Sequence, residues 1–195
     1  MNRFTLIIIS LLAIASCNGT TGDSAATQAE TQQAATQQVA PTGDDKHSEQ
    51  SIRQRLTDIY NEAFNEQNHD LLALDHKFMS KEYNNLQDKA MKIAERTGDI
   101  VIDADHWVQG QDWTNPTMDI VGVENITATT ALARVKIVPH LPGDAGTATL
   151  LILPLVFERG DWFIDNMQQY YEGELLDEKA WYKKYVDNDG KMEQD

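Results

Sequence analysis

The stretch Thr129–Val138, which reads TTALARVKIV, decides the fold class of this chain. From Ala131 onwards every second residue is apolar: Ala131, Ala133, Val135 and Ile137. Two of the residues between them, Arg134 and Lys136, are charged. A hydrophobic period of two predicts a β-strand with one buried face and one solvated face.

Strands are predicted on both sides of this stretch, over Met118–Val123, Thr147–Phe157 and Trp162–Met167. The turn Glu158–Asp161 joins the last two. Pro154 lies inside the long strand, and it predicts an edge position or a bulge because proline has no amide hydrogen to donate to a neighbouring strand.

Helical periodicity comes before the strands. The spacing of apolar residues predicts one helix after Ser48, a short one around Leu71–Leu74, one from Ser80 to Gly98, and a last one over Glu174–Val186. Helices followed by a meander of strands are typical of an α+β fold. We therefore expect N-terminal helices packed on a curved antiparallel sheet, with a C-terminal helix. The concave side of such a sheet can form a ligand pocket.

Residues 1–16 have the pattern of a secretory signal peptide. A basic residue precedes an apolar run over residues 4–15, which is too short to span a bilayer because a spanning helix needs about 20 apolar residues. The run ends in Ile14-Ala15-Ser16-Cys17, which resembles the lipobox of bacterial lipoproteins position by position. The resemblance implies cleavage after Ser16, and acyl chains on Cys17 that anchor the protein to a membrane.

Cys17 is the only cysteine in the chain, which favours a lipid acceptor over the alternative of an ordinary signal peptide followed by a chance cysteine. Asn18 follows Cys17, so the aspartate that retains some lipoproteins at the inner membrane is missing, and no acidic cluster follows either. The resemblance therefore implies a place in the bacterial envelope, on the outer membrane facing the periplasm.

Residues 17–47 are dominated by Ala, Thr and Gln, and they predict a disordered tether that spans about 30 Å. Residues 48–195 have the length of a single α+β domain. The formal net charge of −15 excludes nucleic acid as a partner, because binding to phosphates requires a basic surface.

Two motifs resemble an uncharacterised family of secreted bacterial domains and lipoproteins. They are the segment Asp103–Trp113, which reads DADHWVQGQDW, and Gly160–Ile164, which reads GDWFI. Members of that family are similar to the nuclear-transport-factor-2-like and cystatin-like folds. Since these folds carry enzymes, ligand-binding domains and interaction domains alike, the resemblance implies a fold and no particular function.

Candidate catalytic residues are Asp105, His106 and Asp112, because a carboxylate beside an imidazole can orient a general base. The alternative, which the sequence favours, is that the polar side chains bond the backbone of a long loop while Trp107 and Trp113 fill the core. The candidate ligand-binding residues are Trp107, Gln111, Trp113, Tyr170 and Tyr171, with Trp181 and Tyr182 beside the last two.

Neither a metal site nor a cofactor is predicted. No two of the five histidines lie four residues apart on a helix, the spacing that would place two metal ligands on one face, and the chain has no glycine-rich phosphate loop. Three functions therefore stay open: a domain that binds a small ligand, peptide or envelope polymer, a module that docks on or inhibits another envelope protein, and a hydrolase or isomerase that uses His106. The sequence favours binding over interaction, and both over catalysis.

Overall fold

Three helices precede the sheet in this computed structural model, which describes residues 45–102, 104–140 and 146–191 apart from the side chain of Asn68. Helix α1 spans Glu49–Ala63, α2 spans Leu71–Phe78 and α3 spans Lys81–Thr97, with a 3-10 turn at Glu66–Asn68. The predicted ends are confirmed, because the side chains of Ser48 and Ser80 accept hydrogen bonds from backbone amides of α1 and α3. Gly98 ends α3 with a φ of 81°, which glycine adopts at little steric cost.

Six antiparallel strands form one sheet in the described residues. They are β1 (Thr117–Glu124), β2 (Thr130–Val138), β3 (Thr149–Glu158), β4 (Asp161–Ile164), β5 (Gln168–Tyr171) and β6 (Glu174–Asp177). The order across the sheet is β1-β2-β3-β5-β6, and β4 also pairs with β3. A bulge between Ile120 and Gly122 shifts the register of β1, which bends the strand. Helix α4 (Glu178–Asp187) follows, so the predicted α+β fold with a C-terminal helix is confirmed.

Strand β2 has the alternation that the sequence predicts. Its four alternating side chains are buried: Ala131, Ala133, Val135 and Ile137. They belong to the same apolar core as Ile52, Leu56 and Ile59 of α1. Helix and sheet are therefore held together by burial of one face of each.

Pro154 is not in an edge strand, which corrects one part of the expectation for β3, but it lies where the register shifts by one residue between the β4 pairing and the β5 pairing. It lies opposite Leu132 in a central strand, between the segment of β3 that pairs with β4 and the segment that pairs with β5. The Pro154 carbonyl accepts a hydrogen bond from the amide of Asp165 at this gap. Since N and C=O of one strand residue point to the same side, the missing amide hydrogen faces the gap and costs no ladder bond.

The predicted helix over Glu174–Val186 is wrong in its first turn, which is strand β6, and the predicted strand over Trp162–Met167 divides into β4 and the approach to β5. Glu172 and Gly173 have φ angles of 51° and 89° and form a two-residue turn between β5 and β6. Positive φ at both central residues is the signature of a type I′ hairpin.

Residues 1–44 lie outside the described residues, so the signal peptide, Cys17 and the tether stay predictions. Within the described ranges, no helix is long and apolar enough to cross a membrane.

Candidate functional site

A cleft opens between α4, the β5–β6 hairpin and the loop that follows α3, and we call it the α4 cleft. Its volume is about 540 Å³. Apolar side chains line most of it: Val101, Ile102, Ala104, Leu175, Leu176 and Trp181. The most buried lining residues are His106 and Tyr182, while Leu175 and Leu176 are exposed. The α4 cleft therefore has apolar walls and a polar inner end.

Behind this inner end lies Asp75, a fully buried carboxylate on α2. Three donors meet it. The Nε2 atom of His106 and the indole Nε1 of Trp107 each lie 2.8 Å from Oδ1, and the amide nitrogen of Gln87 lies 2.6 Å from Oδ2. A buried carboxylate is tolerated only with such partners, so Asp75 joins α2, α3 and the His106 loop through one group.

Glu178 is the acidic residue that connects this buried cluster with the cleft. Its Oε2 atom accepts a hydrogen bond of 2.8 Å from the hydroxyl of Tyr83 and lies 3.4 Å from Nδ1 of His106. The Glu178 side chain is 31% exposed, whereas that of Asp75 is 0% exposed. A ligand in the cleft would therefore meet Glu178 before it met Asp75.

The cluster holds His106 as a cation at neutral pH. Burial alone would lower the pKa of the imidazole, but Glu178, Asp75 and Asp105 outweigh it and raise the pKa to about 9. Burial raises the pKa of Glu178, and the charge of His106 and the Tyr83 hydrogen bond partly oppose this. A histidine between two carboxylates is thus an ion-paired group that stabilises both.

The structure places the predicted catalytic residues apart. Asp105 contacts the ring of His69 and accepts a hydrogen bond of 2.9 Å from the backbone amide of Trp107. Asp112 is exposed, beside a separate hollow of about 410 Å³ that Gln111 also lines. The ring nitrogens of His106 face Asp75 and Glu178 instead, and these carboxylates come from α2 and α4.

Most of the predicted ligand-binding residues lie outside the α4 cleft. Trp107 is fully buried in the core, and Trp113 is half-buried with its ring 5.1 Å from that of His69. Tyr170 and Tyr171 are exposed on the β5–β6 hairpin and are not among the lining residues. Trp181 and Tyr182, which were expected beside them, do line the cleft.

Sequence reasoning missed Asp75 and Glu178 altogether. Each belongs to an amphipathic helix in which an acidic residue is ordinary, so no local signal separates it from a solvated one. Within the described ranges, no group of three or more His, Cys, Asp or Glu side chains is arranged to hold a metal ion.

Comparisons with known proteins find few similarities. No family model matches the chain, and no curated protein matches it. Among solved structures it is similar to a phospholipid-binding protein from Ralstonia solanacearum in complex with a phospholipid, at 11% identity and a TM-score of 0.41, over 71% of this chain and 85% of that one. A similarity of this size assigns no ligand to this chain, and the resemblance to the nuclear-transport-factor-2-like and cystatin-like families stays a prediction.

Proposed function

We propose that this protein is a lipid-anchored bacterial envelope protein whose domain binds a small, largely apolar ligand in the α4 cleft. The observation that carries the proposal is the composition of the cleft. Leu175, Leu176 and Trp181 line the cleft and are 46%, 44% and 37% exposed. The Glu178 side chain lines the same cleft and is 31% exposed, so it adds a carboxylate that a ligand can reach. Ligand sites typically combine apolar walls with a few well-placed polar groups, as this cleft does.

Acid–base catalysis is a second candidate, favoured by the position of His106 in the wall of the cleft and 2.8 Å from Asp75. Binding is preferred because both ring nitrogens of His106 already face protein carboxylates. A general base needs a nitrogen within hydrogen-bond reach of the substrate proton.

A neutral dye that fluoresces in apolar surroundings, N-phenyl-1-naphthylamine, tests the cleft by fluorescence titration. The full chain would carry Cys17→Ser, which removes the predicted lipid acceptor. We expect Leu176→Glu to weaken dye binding by at least about tenfold, because a charge replaces apolar wall that the dye would cover. The matched control is Val121→Glu, an exposed apolar residue of β1 outside the cleft, which should leave dye binding unchanged.

Absence of dye binding, or an equal loss in both variants, would contradict a ligand site in the α4 cleft. The docking alternative would then take its place. It draws on the exposed Tyr170 and Tyr171 of the hairpin, which lies at an edge of the sheet. Cross-linking in the intact envelope would then identify a protein partner.

Anchoring is proposed from the lipobox-like residues 14–17, with residues 17–47 as the tether and the outer membrane, facing the periplasm, as the site. We expect Cys17→Ser to move the protein from the membrane fraction to the soluble fraction, because no acyl chain can then be attached. Asn18→Ala, at the next position, should stay with the membranes. Immunoblots of density-gradient fractions would check this, and tight membrane association of Cys17→Ser would refute the anchor.

A further inference from the structure

The charged groups around the α4 cleft do not balance. His106 is matched by Asp75, which lies behind it at 2.8 Å. Two more carboxylates line the cleft, Asp177 and Glu178, against one further cation, Lys184. The cleft therefore carries surplus negative charge close to its apolar walls.

The two carboxylates differ in what they can offer a ligand. Asp177 caps α4, and its oxygens accept hydrogen bonds from the backbone amide of Ala180 and from the side chains of Asn166 and Gln168. The contacts of Glu178 with Tyr83 and His106 both use Oε2. Within the described residues, Oε1 of Glu178 is thus the carboxylate oxygen that these contacts leave available to a ligand.

The orientation of Glu178 is set by groups that a ligand need not disturb. Tyr83 is fully buried, and its hydroxyl holds Oε2 at 2.8 Å. His106 is buried and lies 3.4 Å from the same oxygen, and it is held in turn by Asp75. A carboxylate whose position is set in advance loses little conformational freedom when it binds, which favours affinity.

An aromatic wall adjoins this carboxylate. Trp181 follows Glu178 by three residues on α4, a spacing that places two side chains on one face of a helix. Its indole is partly exposed and lines the cleft together with Tyr182. An ammonium group is attracted both by a carboxylate and by an aromatic face.

We propose that the α4 cleft selects ligands in which a protonated amine is attached to an apolar body, with Glu178 as the acceptor of the amine. This inference rests on the proposed function, since it names the chemical class of ligand for that cleft. Leu175, Leu176 and Trp181 contact the apolar body. A carboxylate ligand is disfavoured because it would bring a third negative group towards Asp177 and Glu178. Lys184 does not reverse this preference, since it is exposed and water screens its charge.

Competitors that share a ten-carbon chain and differ in the head group test the preference for an amine directly. Decylamine, decanol and decanoate would displace N-phenyl-1-naphthylamine at pH 7 from the same full chain carrying Cys17→Ser. We expect decylamine to compete about tenfold more strongly than decanol, because a charge-assisted hydrogen bond is roughly twice as strong as a neutral one. Decanoate should be the weakest of the three. Propylamine should compete at least about tenfold more weakly than decylamine, because it lacks most of the apolar body.

The variant Glu178→Gln tests whether Glu178 is the residue that causes the preference for an amine. In this variant the ratio of decylamine to decanol competition should fall from about tenfold to about one. Glu174→Gln is the matched control, since it removes the same charge from an exposed residue of β6 that does not line the cleft, and its ratio should stay near tenfold.

Each other outcome overturns a defined part of the proposal. Dye binding with equal competition by decylamine and decanol, or with decanoate preferred, would overturn the amine preference and leave the proposed ligand site standing. An unchanged ratio in Glu178→Gln would overturn the role of Glu178. Equal competition by propylamine and decylamine would overturn the claim that the ligand needs an apolar body. The ratio in the unsubstituted protein decides the main claim even if Glu178→Gln fails to fold.

Discussion

Replacing Asp75 with alanine should lower the free energy of unfolding by about 3–5 kcal/mol. The substitution leaves three buried donors without their acceptor: Nε2 of His106, Nε1 of Trp107 and the amide of Gln87. Two of these are neutral groups whose desolvation is no longer offset, and the third is a cation that loses its closest counter-charge. Denaturant unfolding followed by circular dichroism measures the loss.

The matched control is Asp88→Ala. Asp88 lies 3.3 Å from His76 in a pair in which both side chains are about half exposed. Exposed ion pairs contribute little, so the control should change the free energy of unfolding by less than about 1 kcal/mol. A loss as small for Asp75→Ala would show that the cluster around Asp75 is solvated rather than buried.

The dependence of stability on pH gives a second readout of the same cluster. The pKa of His106 is raised from its ordinary value of 6.5 to about 9, so the folded state holds this proton more tightly than the unfolded state does. The resulting stability is fully present below pH 6.5 and is lost as the pH rises to about 9, by on the order of 3 kcal/mol. The raised pKa of Glu178 acts in the same direction. In His106→Asn much of this dependence of the free energy of unfolding on pH should disappear. An unchanged dependence would contradict its assignment to His106.

Trp107→Ala should cost about 3–5 kcal/mol as well, for a different reason. The indole is fully buried, with ring centroids 5.8 Å from Tyr60 and 6.2 Å from Phe78, so its removal leaves a cavity in the core. The loss of its hydrogen bond to Asp75 adds to this cost. Thermal and denaturant unfolding of the same variant would both measure it.

Trp113→Ala is the matched control, because it makes the same tryptophan-to-alanine change at a less buried position. Trp113 is half-buried at the surface, where water can occupy the space that its ring leaves. We therefore expect a loss of about 1–2 kcal/mol, smaller than that of Trp107→Ala. An equal loss of unfolding free energy in the two variants would show that the segment from Trp107 to Trp113 is one packed unit. It would contradict the lower burial of Trp113.

The hairpin before α4 shows where local pattern is ambiguous. Leu175, Leu176, Trp181 and Tyr182 fit a helical face, and a helix was predicted from Glu174. A type I′ turn at Glu172–Gly173 instead pairs β6 with β5, and Asp177 caps a helix that begins at Glu178. Pairing with a neighbouring strand is a tertiary interaction, so it overrides a spacing that two local structures share.

The alternation of Ala131, Ala133, Val135 and Ile137 was enough to predict a strand and its buried face, because side chains alternate across any strand. The caps at Ser48, Ser80 and Gly98 were equally readable, since they depend on the backbone within one turn. The polar cluster was not. His106 stood out in its loop, but Asp75 and Glu178 become its partners only when α2 and α4 pack on either side of it. Contacts between distant segments depend on the whole packing arrangement, which local periodicity does not encode.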